Sequence, residues 1–201
     1  MRPMITLFCM LLSFFAPGPG RALAADADPY ADDRAALIKV FREIEASINA
    51  QDVDRMVKQM HPLASVTWLN AEVSRGHDEI KGYYHRMVKG PDRILDKYTT
   101  AAKVSAPARF FANGTIAVAD GTTEDDFYPV ARGPFHLSGR WTSTSAKIDG
   151  QWTVVGLHLS SNVFTNDLIA EAKRAAVYTG AGGALAGLLV GWLIGRWRKR
   201  T

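Results

Sequence analysis

The chain holds one cysteine, Cys9, in 201 residues, and it lies in an apolar segment near the N-terminus. No second thiol exists to pair with it, so whatever folds beyond that segment is held by its core and not by disulfides. The sequence patterns of metal and nucleotide chemistry are missing as well. No H-E-x-x-H, no cysteine pair, no phosphate-cradling glycine loop and no dinucleotide fingerprint occurs, so neither a metal nor a cofactor is expected. A Ser-His-Asp arrangement, internal repeats and low-complexity tracts are also absent. Basic surface is scarce despite a formal net charge of +4, because six Lys and Arg sit at the two chain ends. All 20 Asp and Glu lie between residues 25 and 174, which leaves that stretch slightly acidic. A nucleic-acid partner needs a concentrated positive face and is excluded on that ground.

What is present starts at the C-terminus. Ala175 to Gly195 carries no charge, has glycines at 183, 187, 191 and 195, and is closed by Arg196-Trp197-Arg198-Lys199-Arg200. At about 1.5 Å per residue it extends roughly 31 Å, one bilayer crossing. The basic residues after it are expected to stay in the cytoplasm, with Trp192 and Trp197 at the interface and everything before Ala175 on the opposite side. At the N-terminus, Met1-Arg2, an apolar core from Met4 to Phe15, Pro17 to Gly20 and Ala22-Leu23-Ala24 read as a secretory signal cut after Ala24. Left uncut, the same segment would be a second anchor. The expected organisation is a signal peptide at 1–24, an exported domain at 25–172, a transmembrane helix at 175–195 and a basic tail at 196–201. It describes a single-pass protein of a bacterial inner membrane, domain in the periplasm, C-terminus in the cytoplasm, with the lipid bilayer as a partner. Gly183, Gly187, Gly191 and Gly195 form a ridge without side chains, a glycine zipper along which a second helix can pack closely. A homodimer and association with another membrane protein both fit it, as does the ordinary glycine content of membrane helices.

Within the domain, periodicity changes once. Ala36, Leu37, Val40, Phe41, Ile44 and Ile48 recur at three and four residues and predict an amphipathic helix over Asp32 to Ala50. Asp52 is placed to cap a shorter helix through Met60, ended by His61-Pro62. A strand over Ala64 to Leu69, a short return strand Val73 to Arg75 and a third helix His77 to Val88 follow. After Pro91 the pattern is extended, with strands near 97–106, 115–128, 135–148 and 151–164. Asp149-Gly150 predicts a two-residue type I′ turn. Counting back from that turn pairs Ile148 with Gln151, Lys147 with Trp152, Ser145 with Val154 and Trp141 with His158. One face then carries Phe135, Leu137, Trp141, Trp152, Val154 and His158, and is expected to turn inward against the helices. The fold class is α+β: a curved antiparallel sheet around N-terminal helices, plus one C-terminal transmembrane helix.

These elements resemble the SnoaL-like branch of the nuclear transport factor 2-like superfamily. The resemblance rests on the long first helix, His61-Pro62 before a strand ending Thr67-Trp68, Arg75-Gly76-His77-Asp78-Glu79-Ile80 leading into the third helix, Ser138-Gly139-Arg140-Trp141-Thr142, and Asp149-Gly150-Gln151-Trp152 through His158-Leu159-Ser160. It implies a cone-shaped sheet with a pocket inside and dimers formed through the sheet. In that superfamily some members are isomerases, cyclases or dehydratases acting on hydrophobic small molecules.

An acid or base inside an apolar pocket is the chemistry such a cone offers. His158, on the aromatic face, is the first candidate catalytic residue, with a structural histidine bonded to a carbonyl or to Ser160 as the alternative. Asp120 is the second, sharing a strand face with Ile116 and Val118, or else a solvated strand end. Trp68, Tyr83, Tyr84, Trp141, Trp152 and His158 are candidate ligand-binding residues, although core packing explains the aromatics equally. His77, Asp78 and Glu79 are read as helix capping, and Glu124-Asp125-Asp126 as a solvated edge or loop. The base-and-oxyanion set of ketosteroid isomerases has no motif match here. Three functions stay open: a membrane-anchored binding or carrier domain for a hydrophobic small molecule, a ketosteroid-isomerase-like isomerase, cyclase or hydratase, and a structural dimerisation module.

Overall fold

The computed structural model describes residues 28–198; the expected signal segment with Cys9, the cut after Ala24 and the last three residues lie outside the described residues. Helices α1 (Ala31–Asn49) and α2 (Val53–Val57) precede strands β1 (Met60–Thr67) and β2 (Val73–Arg75). Helix α3 (Gly76–Tyr84) runs into a π-helical turn, His85–Lys89. Strands β3 (Leu95–Val104), β4 (Arg109–Phe111), β5 (Ile116–Pro129), β6 (Phe135–Ile148) and β7 (Gln151–Ser161) follow, then helix α4 (Asp167–Arg198). Among the described residues the sheet has seven strands, ordered β2-β1-β7-β6-β5-β3 with β4 on β5, and only β1 and β7 run parallel.

Asp52 caps α2 as expected, its Oδ1 accepting the Arg55 N–H at 3.0 Å. The helix stops at Val57, however, and Met60, expected within it, and His61-Pro62, expected to end it, all belong to β1. The β1–β7 register is irregular between Met60 and Ser65, so Pro62, which has no N–H to donate, falls where the ladder is already interrupted. Glu79 accepts the Arg75 N–H at 2.8 Å across the start of α3, and the His77 ring contacts the Met60 carbonyl oxygen at 2.9 Å. Both are structural uses: Glu79 bridges the first turn of α3, whereas His77 ties α3 to β1 and caps nothing.

Residues of α2, α3 and β1 form the packed core: Met56, Val57, Met60, Ala64, Val66, Ile80 and Tyr84, closed by Val154 of β7. Helix α1 does something different. Its apolar stripe crosses the inner face of the sheet, and its polar end saturates the open edge of β3. Asn49 exchanges two hydrogen bonds with the Thr100 backbone, both 2.9 Å; Gln51 donates to the Tyr98 carbonyl at 2.6 Å; Glu45 accepts the Ala102 N–H at 2.7 Å. An edge strand that would otherwise present free backbone groups is thereby covered.

The β6–β7 turn forms as the sequence predicts, with Asp149 and Gly150 both at positive φ, 49° and 80°. The paired register matches from Ile148–Gln151 to Ser145–Val154 and then slips, because the next pair is Thr144–Gly156. Val155 is left unopposed in a β-bulge, and one extra residue inverts the facing of every residue beyond it. Trp141 therefore faces Leu159, and His158 faces Thr142.

Helix α4 is exposed beyond its first turn, where Leu168 and Ile169 are half-buried, and by length and composition it is long and apolar enough to cross a membrane. Side-chain space at Gly183, Gly187, Gly191 and Gly195 is open.

Candidate functional site

A cavity of about 810 Å³ lies between α1, α3 and the inner face of the sheet, a volume in the ~300–1,000 Å³ range of small-molecule sites. The register sets the strands beneath it as a grid. Thr100, Ala102 and Val104 of β3 stand opposite Asp125, Thr123 and Gly121 of β5, which stand opposite Leu137, Gly139 and Trp141 of β6. Gly121 makes the grid possible, since a Cβ there would sit 1.9 Å from the Lys103 carbonyl oxygen and 2.6 Å from the Trp141 ring. Phe41 of α1 stacks on Trp141 with centroids 5.3 Å apart, and Trp68 stacks on Tyr83 at 4.2 Å.

Charge is almost excluded from this wall. Arg34, Glu45 and Arg132 are the charged residues lining it, and each is engaged: Arg34 with Asp28, Glu45 with Arg42 and the Ala102 N–H, Arg132 with Glu171. Polar atoms are few and specific. Tyr84 OH, Thr100 Oγ1 and Trp141 Nε1 are buried and have no hydrogen-bond partner in the protein, and all three residues line the cavity. Orphaned buried polar groups cost about 1–3 kcal/mol each unless something supplies a partner. Burial pushes the phenols of Tyr83 and Tyr84 up to about 12, so both remain protonated donors.

Behind the wall sits a buried carboxylate. Asp125 is 1% exposed; Tyr98 OH donates to its Oδ1 at 2.9 Å and Thr123 Oγ1 to its Oδ2 at 2.7 Å. Tyr98 as a residue is only part-buried, but its hydroxyl end lies among buried groups, and burial, then the Asp125 charge, hold its pKa well above 10.0. Thr100 approaches the same phenol closely enough to oppose that shift without making a well-formed hydrogen bond. Gly139 leaves room for the pair: a Cβ there would lie 2.6 Å from Thr123 Oγ1 and 3.3 Å from Asp125 Oδ2.

The acidic run expected as a solvated edge is thus divided by strand alternation, Asp125 inward and Glu124 and Asp126 outward. Outside, the His136 ring lies 2.9 Å from Asp126 and 2.8 Å from Glu124. Hydrogen bonds to Asp126, then Glu124, raise the His136 pKa above 6.5, while Ser138, then His136, lower that of Glu124 below 4.5. The imidazolium's contribution is therefore complete below about pH 6.5 and is lost as pH rises through the raised value; the Glu124 contribution is lost as pH falls through the lowered one. Thermal denaturation from pH 5.5 to 8.5 should show a fall in Tm that His136→Gln abolishes. At so exposed a site the effect is at most ~1 kcal/mol.

Of the residues singled out from sequence, Trp68, Tyr83, Tyr84 and Trp141 line the cavity. Trp152 does not: it is buried, its Nε1 donates to Asp33 Oδ1 at 2.8 Å, and Phe110 packs edge-on against it. His158 was expected inward and is exposed on the outer face, turned there by the Val155 bulge. Asp120 shares its face with Ile116 and Val118 as expected, but that face is the outer one, and its carboxylate lies 3.9 Å from Arg109. Sequence reading missed Tyr98, Thr100 and Asp125. A signal for the bulge existed in Gly156, a glycine inside a strand pattern; a signal for Asp125 existed in its odd-numbered alternation with Ala117, Ala119 and Thr123.

The architecture is that of nuclear transport factor 2-like cone proteins. A candidate scytalone dehydratase from Novosphingobium aromaticivorans superposes with a TM-score of 0.56 at 14% identity over 66% of this chain and 85% of its own. The hexachlorocyclohexane dehydrochlorinase LinA-type3 from Novosphingobium barchaimii gives 0.56 at 15% identity, covering 67% and 90%. A nuclear transport factor 2-like superfamily protein from Salmonella enterica gives 0.54 at 22% identity, covering 67% and 94%. No protein-family model matches the sequence, and no curated protein does. What is shared with these structures is the fold.

Proposed function

We propose that the protein is a membrane-anchored, exported binding or carrier domain for a neutral hydrophobic small molecule that carries a hydroxyl or carbonyl group. The observation that supports this is a cavity of about 810 Å³ whose wall is almost wholly apolar and whose few charged residues are already engaged; Tyr84, Thr100 and Trp141 line it, with Tyr84 OH, Thr100 Oγ1 and Trp141 Nε1 unpaired just behind its surface. A ligand with an apolar body would fill the volume, and its polar end would meet one of these atoms once that side chain turns toward it; an anionic ligand would have to draw Arg34 or Arg132 from its present partner and would face a buried Asp125 behind the wall. Purified full-length protein should carry such a molecule into native mass spectrometry or release it on organic extraction. Tyr84→Phe should weaken its binding about fivefold, the equivalent of ~1 kcal/mol for one hydrogen bond. Unchanged affinity in Tyr84→Phe and in Trp141→Phe together would remove the reading.

A second reading is an isomerase, cyclase or hydratase. The Tyr98–Asp125 pair supports it, as a proton carrier held in an apolar setting, and two of the structural neighbours are named for elimination chemistry on small molecules. It ranks lower because both Asp125 oxygens are already occupied and Asp125 does not line the cavity. The signal peptide, the periplasmic side, and a homodimer made through the sheet or the glycine ridge remain part of the same proposal.

A further inference from the structure

The cavity wall is completed by the start of the apolar helix. Val163, Leu168 and Ile169 line it together with Ile94 and Arg132, and Ile94 and Val163 are exposed at 56% and 65%. The link from β7 into α4 is not a loose tether. Asn162 Oδ1 accepts the Phe164 and Thr165 N–H groups at 2.9 and 3.2 Å, Asn166 Nδ2 donates to the Asn162 carbonyl at 2.6 Å, and Asn166 Oδ1 accepts the Ile169 N–H at 3.0 Å. Asn166 is thus the side-chain cap of α4. One turn further on, Arg132 of the β5–β6 loop lies 3.4 Å from Glu171 and stacks its guanidinium over Phe135 at 4.4 Å. Helix and cone are therefore joined with a defined orientation at the cavity rim.

Distance along the helix then places that rim. Ile169 precedes the uncharged run that begins at Ala175 by six residues, roughly 9 Å at ~1.5 Å per residue. A headgroup layer is about 5–7 Å deep on each side of the hydrocarbon. The rim thus stands at the outer edge of the headgroups, with exposed Ile94, Val163 and Phe164 beside it.

We propose that the cavity exchanges its ligand directly with the bilayer: the rim formed by Ile94, Val163, Leu168 and Ile169 is a portal held against the membrane surface by α4, and the occupant is a neutral, hydroxyl- or carbonyl-bearing lipid from that leaflet. This rests on α4 spanning the membrane and on the binding reading above. The polar end lies at the inner end of the cavity, beside Tyr84 and Thr100, and the chain trails along the apolar wall toward the portal. A lipid that leaves the bilayer by such a route does not cross open water, which is the slow step for an apolar molecule.

The test uses the full chain in phosphatidylcholine liposomes that contain a pyrene-labelled long-chain alcohol, read by energy transfer from cavity tryptophans. Two variants accompany it: a flexible Gly-Ser linker in place of residues 162–166, which keeps the cone and the anchor but frees their orientation, and Ile169→Asp, which makes the rim polar. With each liposome rate divided by that protein's own affinity for the alcohol in detergent micelles, transfer in the parent should be about tenfold faster than in the linker variant, and Ile169→Asp should slow it as well. Equal liposome rates with binding retained in micelles would overturn the portal and leave the binding reading standing. No binding of the alcohol in either setting would overturn both.

Discussion

Asp125→Ala should destabilise the cone by about 3 kcal/mol, the largest loss expected from any single polar substitution in it. The carboxylate is 1% exposed and receives two hydrogen bonds, from Tyr98 and Thr123. Truncation removes the acceptor and leaves two buried hydroxyls unpaired, each worth about 1–3 kcal/mol when orphaned. For a domain of this size a Tm fall of roughly 6–12 °C follows, measurable by circular dichroism on the full chain in detergent. Asp125→Asn keeps the shape and one acceptor and should lose about half as much. Asp126→Ala, one residue along and exposed, touches only the outer His136 contact and should stay within about 1 kcal/mol of the parent. Equal melting temperatures for Asp125→Ala and Asp126→Ala would show that strand alternation does not bury Asp125. The same variants separate the two functional readings: a binding domain with Asp125→Asn retains its ligand, whereas a proton-transfer enzyme loses turnover.

Ala102→Trp should abolish ligand binding with little loss of stability, an outcome opposite to that of an ordinary core substitution. Ala102 lies on the inner face of β3, two residues from Thr100 and opposite Thr123, and it lines the cavity. In a packed interior an added indole forces its neighbours apart at a cost of about 1–3 kcal/mol. Here the indole enters existing space, and the apolar area it covers offsets its own ordering. Binding should fall at least a hundredfold, because the ligand and the indole compete for the volume beside Tyr84 and Thr100. Isothermal titration with a long-chain alcohol, paired with a melting curve, reads both quantities. A variant that melts much lower would indicate that the cavity is filled by its own side chains in solution, and would remove the binding reading along with it.

Much of the cone was legible from local pattern. The amphipathic stripe of α1, the Asp52 cap, the positive-φ pair Asp149-Gly150 and the register of the first pairs of the last hairpin each depend on residues close in sequence. Four of the six residues expected to meet a ligand do line the cavity, since aromatic side chains on inward faces have few other places to go. The errors share a cause. His158 was assigned inward by counting alternation from the turn, and a single unopposed residue, Val155, reverses that count. Trp152 stood on the correct face, but Asp33 claims its N–H from across 119 residues, a contact no local pattern reports. Asp125 was read with its acidic neighbours as solvated, because charge in a run suggests water; alternation separated it from them, and Tyr98 and Thr123 made its burial tolerable.

The sequence by itself determined most of the elements and their order, though not the short β4 or the start of β1 at Met60, and it determined the apolar helix with its basic end and the type of turn that joins β6 to β7. These follow from periods of two and 3.6 residues, from glycine and proline, and from runs without charge, all of which act over a few residues. Only the tertiary structure decided which polar groups face the cavity and which are spent on the scaffold. That depends on register across β3, β5 and β6, on one bulge, and on glycines whose missing Cβ atoms admit a ring at Gly121 and a carboxylate at Gly139. It also decided that helix α4 begins as part of the cavity wall, because the side chains of Asn162 and Asn166 turn the chain back onto the rim.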